Sequence, residues 1–387
     1  MTRWNIDASR TTQILSELTA INSMNSFLVA GGPDEGEAAA WLVRTCNAMG
    51  LEVWTEEPAP NRPNVYARWQ GSGGGKSMLL TGHTDVVGIE GMTIEPFKPE
   101  IRDGNLYGRG SYDMKAGLAA ILGAVEALQR GGFQPKGDVL LGFVVDEEYS
   151  SLGTTAMVKS IQADGCILTE PSALQIGLAH KGFAWVTLTT HGLAAHGSLH
   201  EVGIDAITHM GYLLTEIDRL EREVMPTRTH PLLGRPSLHA SLINGGLGAS
   251  TYPDACTVKI EHRPLPDQDG EYIKGLWDQA IERLSKQNKN FKAEAVVDLY
   301  QPGFETGKDQ PIVQAVDAGY HAAMGSAPTY RGMFGWLDSA IISRAGIPVV
   351  VYGPSGEGAH AAVEYADLDS VARCAAVLAE STALWCG

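Results

Sequence analysis

Apolar residues recur at helical spacing most clearly in one stretch. Met114, Leu118, Ile121, Leu122, Val125 and Leu128 fall on one face, and Gly131-Gly132 follows. The spacing predicts a helix over 114–130, ended by the glycine pair. The same pattern predicts helices over 9–20 and 35–49, the second stopped by Gly50. Residues 139–145 are instead continuously apolar, as a strand buried on both faces must be. Residues 165–168 and 348–352 have the same character, and 65–70 and 77–81 predict strands around a glycine-rich turn at 71–75. Helices alternating with buried strands predict an α/β domain with a mixed, mostly parallel sheet.

The middle of the chain has a different rhythm. Residues 183–190 alternate like a half-exposed strand, 203–224 are helical, and 237–243 and 255–262 are strands. A helix over 270–287 and a strand over 291–299 follow. That order, β-α-β-β-α-β, is ferredoxin-like. The expected organisation is a catalytic domain made of 1–180 and 296–387, interrupted by a smaller domain at 181–295. No internal repeat is present.

Composition narrows the function classes. With 44% hydrophobic and 19% charged residues, the chain is too apolar to be disordered. Lys+Arg number 29 and Asp+Glu 45, a net charge of −16, so a general nucleic-acid binder, which needs a basic face, is excluded. No apolar run approaches the roughly 20 residues of a membrane span, so no membrane partner is expected. The start of the chain lacks the apolar run of a secretory signal. The five cysteines (Cys46, Cys166, Cys256, Cys374, Cys386) are scattered and form no C-x-x-C pair. They read as reduced thiols, and a cytoplasmic location is expected.

The chemistry lies where the apolar strands stop. One runs into His83-Thr-Asp85, a second into Asp146-Glu147-Glu148, a third into Glu170-Pro171 and a fourth into a loop with His360. Ligands of open α/β sheets bind outside the carboxyl ends of the strands. If the four strands are parallel neighbours, two histidines and several carboxylates converge there. Imidazole and carboxylate without thiolate suit Zn²⁺, with Mn²⁺ or Co²⁺ as substitutes. Asp85 could hold the other ring nitrogen of His83. Each piece alone has a plainer reading. Asp113 reads as a helix N-cap and the acidic triplet as a solvated turn. The stretch Gly71-Ser-Gly-Gly-Gly-Lys76-Ser77 suggests a phosphate-binding loop, but Gln70 stands where that motif needs glycine, and a strand follows where it needs a helix.

Six segments together resemble a known family. They are Thr81-Gly-His83-Thr-Asp85-Val-Val, Gly108-Arg-Gly-Ser-Tyr-Asp113-Met-Lys-Ala-Gly117, Asp146-Glu147-Glu148, Thr169-Glu170-Pro171, Gly192-Leu-Ala-Ala-His196-Gly-Ser and His360-Ala-Ala-Val-Glu364-Tyr. In this order they resemble the co-catalytic zinc hydrolases that include acetylornithine deacetylase, succinyl-diaminopimelate desuccinylase, aminoacylase and glutamate carboxypeptidase.

The resemblance implies a zinc-peptidase-like catalytic domain with an inserted lid that dimerises. It also implies two zinc ions. Asp113 would be shared between them, His83 and Glu170 would complete one set of ligands, and Glu148 and His360 the other. Asp85 would orient His83. Glu147 would be the general base, taking a proton from a water shared by the metals. His196 would stabilise the oxyanion and contact substrate, and Arg263 would hold a substrate carboxylate. The function implied is hydrolysis of the amide of a small N-acyl amino acid. A dipeptidase or carboxypeptidase acting on short peptides is the alternative with the same chemistry, and a non-catalytic binding protein the alternative without it. Two departures concern specificity. Gly335-Trp336-Leu337-Asp338 stands where relatives have Gly-Gly-Thr-Asp, and Ser250 stands where an asparagine is frequent. Trp336 and Leu337 would reshape that wall toward apolar groups.

Overall fold

The computed structural model describes residues 4–387. Residues 1–3, part of the start read above for a leader, lie outside the described residues. Two compact units are present. The first gathers the chain up to Leu178, Thr306–Arg331 and Leu337–Gly387; the second comprises Ala179–Glu305 and Gly332–Trp336.

At the centre of the first unit four parallel strands lie side by side, in the order Val139–Val144, Met78–His83, Gly165–Leu168 and Val349–Val351. Arg62–Trp69 and then Glu52–Ala59 extend the sheet antiparallel beyond Val139–Val144. Val139–Val144 and Met78–His83 are buried at every position, which is why their sequences do not alternate. Helices Ala8–Ala20, Ala116–Arg130 and Leu368–Cys386 pack on one another, and the second also covers strand Met78–His83. Leu118, Ile121, Leu122 and Val125 are fully buried on that helix. Each such side chain contributes roughly 1.5–3 kcal/mol.

The helix begins two residues later than its apolar spacing predicts. Ser111–Lys115 form one wide turn, in which Asp113 has a non-helical backbone (φ −112°, ψ 96°). The Asp113-Met114 peptide is cis. Asp113 is therefore not the helix N-cap: the cap position is Lys115, which makes no side-chain cap bond. A small sheet of Glu100–Arg102, Asn105–Tyr107, Tyr365–Asp367 and Gly356–Glu357 was not legible in the sequence, because strands of two or three residues carry no period. It lays the segment after His360 against the segment before Asp113.

The second unit has its own core. Its antiparallel sheet runs in the order Ser237–Gly245, Ala255–Arg263, Phe183–His191, Lys292–Gln301. Helices Ala206–Arg219 and Gly270–Gln287 are capped by Asp205 and Asp269, whose side chains accept from Thr208 N and Tyr272 N. Ala184, Val186, Leu188, Val258 and Ile260 alternate inward onto this core.

His262 is buried here, and its Nε2 accepts a hydrogen bond from Trp277 Nε1 at 2.9 Å. Burial pushes its pKa from 6.5 down to about 4. Between those two values the unfolded chain binds a proton that the folded chain refuses, so stability falls as the pH falls through this window. The loss is roughly 3 kcal/mol when complete and roughly 2 kcal/mol by pH 5. Thermal unfolding followed by tryptophan fluorescence at pH 7 and pH 5 checks this. His262→Gln is expected to flatten the dependence; an unchanged acid response would show that another group carries it.

Candidate metal centre

The order of the four parallel strands brings their carboxyl ends together. His83 ends one strand. Its Nδ1 lies 3.0 Å from the Asp85 backbone oxygen and 3.4 Å from Asp85 Oδ1. Its Nε2 faces Asp113 Oδ1 at 3.3 Å and Glu170 Oε1 at 3.8 Å. The other oxygen of Asp113 is 3.4 Å from His360 Nε2, which is also 3.0 Å from Glu148 Oε2. Two sets of donors result, His83-Asp113-Glu170 and Asp113-Glu148-His360, each with its atoms within 4.8 Å of one another. Asp113 belongs to both. Glu147 belongs to neither; its Oε2 is 4.0 Å from His83 Nε2.

The Asp113 turn is held by Glu364. This buried carboxylate accepts from Gly110 N, Tyr112 N and Asp113 N, each at 3.0 Å, and from Arg109 Nη1 at 2.6 Å. Arg109 in turn donates to Gly88 O, beyond His83, and to Ala361 O, beside His360. One buried ion pair thus ties three ligand-bearing segments together. Gly353 permits a further close approach: a Cβ there would sit 2.2 Å from the Glu170 backbone oxygen.

The electrostatics call for cations. Burial pushes the carboxyls of Glu147, Glu148 and Glu170 above the usual carboxylate range. Burial would also raise Asp113, but hydrogen bonds from His360 and His83 outweigh it and hold Asp113 low. His360 is pushed up to about 10 by its bonds to Asp113 and Glu148. His83 is raised well above 6.5: burial opposes its charge, and the bonds to Asp113 and Asp85 overcome that. Both shifts have one cause: the surrounding carboxylates favour positive charge between them. Glu170 Oε1 is buried with no hydrogen-bond partner, a costly state for a carboxylate oxygen. A divalent cation would relieve each of these features, and the nitrogen and oxygen donors fit Zn²⁺, Mn²⁺ or Co²⁺. The five cysteines are buried and free, and none belongs to either donor set.

The remaining candidates behave differently. The carboxylate of Asp85 does more than face His83: it accepts from Glu147 N at 3.1 Å and Glu148 N at 3.2 Å. His196 and Arg263 belong to the second unit. His196 Nδ1 lies 2.9 Å from Ser198 Oγ. Arg263 bonds Glu261 at 2.8 Å and stands over the Phe183 ring at 5.5 Å. Trp336 packs edge-on against Phe183 and His180 and donates to Pro302 O. Sequence reasoning assigned no role to Arg109 and Glu364, although both lie inside the motifs quoted above. Two opposite charges beside ligand residues were the available signal. Asn25, Glu35 and Arg62, buried behind Asp85 and Asp146, offered none.

The chain resembles known proteins over most of its length. The family profile described as peptidase family M20/M25/M40 matches residues 79–383. An acetylornithine deacetylase of Myxococcus xanthus is 28% identical over 342 residues, 87% of each chain. The crystal structure of aminopeptidase PepT from Bacillus cereus superposes with a TM-score of 0.81 at 21% identity, over 99% of this chain and 100% of that one. The YXEP protein of Bacillus subtilis, described as a dinuclear metal-binding peptidase, superposes with a TM-score of 0.75 at 15% identity, over 98% of both chains.

Proposed function

The chain belongs to peptidase family M20/M25/M40, and from that premise we propose that it is a two-metal amidohydrolase that releases a carboxylate and an amino acid from a small N-acyl amino acid. One observation carries the reading. Two donor sets share Asp113, and a third carboxylate, Glu147, stands beside them without belonging to either.

His83, Asp113 and Glu170 would hold one cation, and Asp113, Glu148 and His360 the other, with zinc the proposed metal. Divalent cations bound there would supply Lewis-acid polarisation and acidify water. Glu147 takes the proton of the attacking water as the carbon–oxygen bond forms. It returns that proton to the departing nitrogen as the carbon–nitrogen bond breaks. Burial and the nearby Glu170 charge raise its carboxyl above the ordinary carboxylate range, which makes the ionised group a stronger proton acceptor. His196 is proposed to donate to the oxyanion and contact substrate. Arg263 is proposed to grip the substrate carboxylate with its forked donors, orienting the scissile amide. Two bound cations and Arg263 would supply the positive charge that an anionic substrate needs on a chain of net charge −16.

The second unit, which extends past the 181–295 domain expected from the sequence to Glu305 and adds Gly332–Trp336, is proposed to be the lid and to form a homodimer. Support comes from the edge strand Ser237–Gly245, which exposes Leu242 at 67% and Ile243 at 58%, with Leu247 at 74% just beyond it. Large apolar side chains so exposed are usual at interfaces. Five free thiols suit the proposed cytoplasmic location. Among the described residues no helix is long and apolar enough to cross a membrane.

The test is a panel of N-acetyl, N-formyl, N-succinyl and N-aromatic-acyl amino acids and free-amine dipeptides, offered to enzyme reconstituted with Zn²⁺, Mn²⁺ or Co²⁺. Hydrolysis of acylated amino acids in preference to dipeptides is expected. Trp336 and Leu337 are proposed to reshape the substrate wall so that it favours apolar acyl or side-chain groups. Faster turnover of dipeptides would make the protein a peptidase, and no hydrolysis with any metal would make it a binding protein.

A further inference from the structure

Asn25 lies between helices Ala8–Ala20 and Gly36–Ala48 and is fully buried. Its Nδ2 donates to Asp85 Oδ2 and to Asp146 Oδ1, each at 2.9 Å. A side-chain amide nitrogen carries two hydrogens, so each carboxylate receives one. Its Oδ1 accepts from Phe27 N at 3.0 Å and its backbone N donates to Val86 O at 3.1 Å. Every polar atom of the side chain is therefore used, and the segment is anchored to the chain just beyond His83.

The two carboxylates it joins both control the turn that carries Glu147. Asp85 receives the Glu147 and Glu148 N–H groups on its two oxygens. Asp146 begins the turn in the left-handed region, at φ 67°. That conformation costs a residue with a Cβ about 1 kcal/mol or more, so it persists only where its surroundings enforce it. Arg62 Nη1 at 2.7 Å, Ser150 Oγ and Asn25 hold the Asp146 carboxylate. Asp85 and Asp146 are both buried carboxylates, and the two hydrogens of Asn25 lie between them. Among the described residues, Asn25 is the side chain that donates to both.

We propose that Asn25 is a positioning residue for the general base: by bridging Asp85 to Asp146 it fixes the backbone from which Glu147 projects. The proposal rests on the reading of Glu147 given above. Asn25 belongs to neither metal-donor set, and the closest bond that His83 Nδ1 makes, to the accepting Asp85 backbone oxygen, does not pass through it.

Asn25→Ala removes both donors together. Asp85 Oδ2 keeps Glu148 N and Asp146 Oδ1 keeps Arg62, so the variant is expected to fold and to bind two metals. Its kcat should fall roughly 10–100-fold, the usual cost of losing an outer partner of a catalytic group, with KM little changed. The assay uses metal-reconstituted enzyme and the fastest acylated amino acid of the panel. A cycle with Glu147→Asp separates positioning from general weakening. If Asn25 acts through Glu147, the double variant is little slower than Glu147→Asp alone. Unchanged kcat in folded, metal-loaded Asn25→Ala overturns the proposal. So does full additivity with Glu147→Asp, or a loss of rate matched by a loss of metal. Should Asn25→Ala not fold, Asn25→Gln, with both donors one methylene out of place, carries the same expectations. If Glu147→Gln turns over like the wild type, the reading of the base fails instead, whatever Asn25→Ala does.

Discussion

Glu147→Gln is expected to lower kcat by roughly 10²–10⁴-fold while leaving metal content, KM and the unfolding midpoint close to those of the wild type. The amide matches the carboxyl in size but cannot take a proton. Glu147 lies outside both donor sets, with its Oε2 4.0 Å from His83 Nε2, so its loss should not release a cation. Its backbone is held by Asp85, and that bond survives any change of the side chain. Steady-state kinetics, metal analysis and thermal unfolding on the same preparation read all of this. Turnover at the wild-type rate would remove Glu147 from the mechanism. Loss of rate together with loss of metal would make it a ligand.

Asp113→Ala is expected to have the opposite signature. Asp113 faces His83 with one oxygen and His360 with the other, so both donor sets lose a member at once. Metal content should fall from two ions per chain to below one, and activity by more than the roughly 10–100-fold that removing an outer partner costs. The turn itself should persist, because Glu364 holds it through the backbone N–H groups of Gly110, Tyr112 and residue 113. A folded variant that still binds two ions with wild-type affinity would refute the assignment of Asp113. His360→Ala is the partial case. It removes a donor from one set and should leave one ion bound.

Much of the site was legible because a junction repeats in the sequence: a buried apolar strand running directly into histidine or carboxylate. Met78–His83, Val139–Val144 and Gly165–Leu168 each end this way. Polar residues at the end of a buried strand need water, a ligand or a polar partner within the protein. The departures from expectation have an equally physical origin. Taken alone, Asp113 read as a helix cap, because local spacing cannot register a turn imposed from elsewhere; only the family resemblance pointed to a shared ligand. Its geometry depends on Glu364, more than 250 positions away. Asn25 reaches Asp85 and Asp146 across 60 and 121 positions, and Arg109 reaches Glu364 across 255. None of these pairs has a period, a cap position or a spacing that a linear reading could weigh.

By itself the sequence determined which segments form buried strands and helices, which residue types stand at the strand ends, and so the kind of cation that would suit them. Those properties follow from periodicity, which is local. Only the tertiary structure decided that the four strands are parallel neighbours and that Asp113 stands between both donor sets. Only it decided that the turn bearing Glu147 rests on Asp85, Asp146 and Asn25. Those facts depend on hydrogen bonds between buried groups far apart in the chain, and such bonds form only once the core has closed around them.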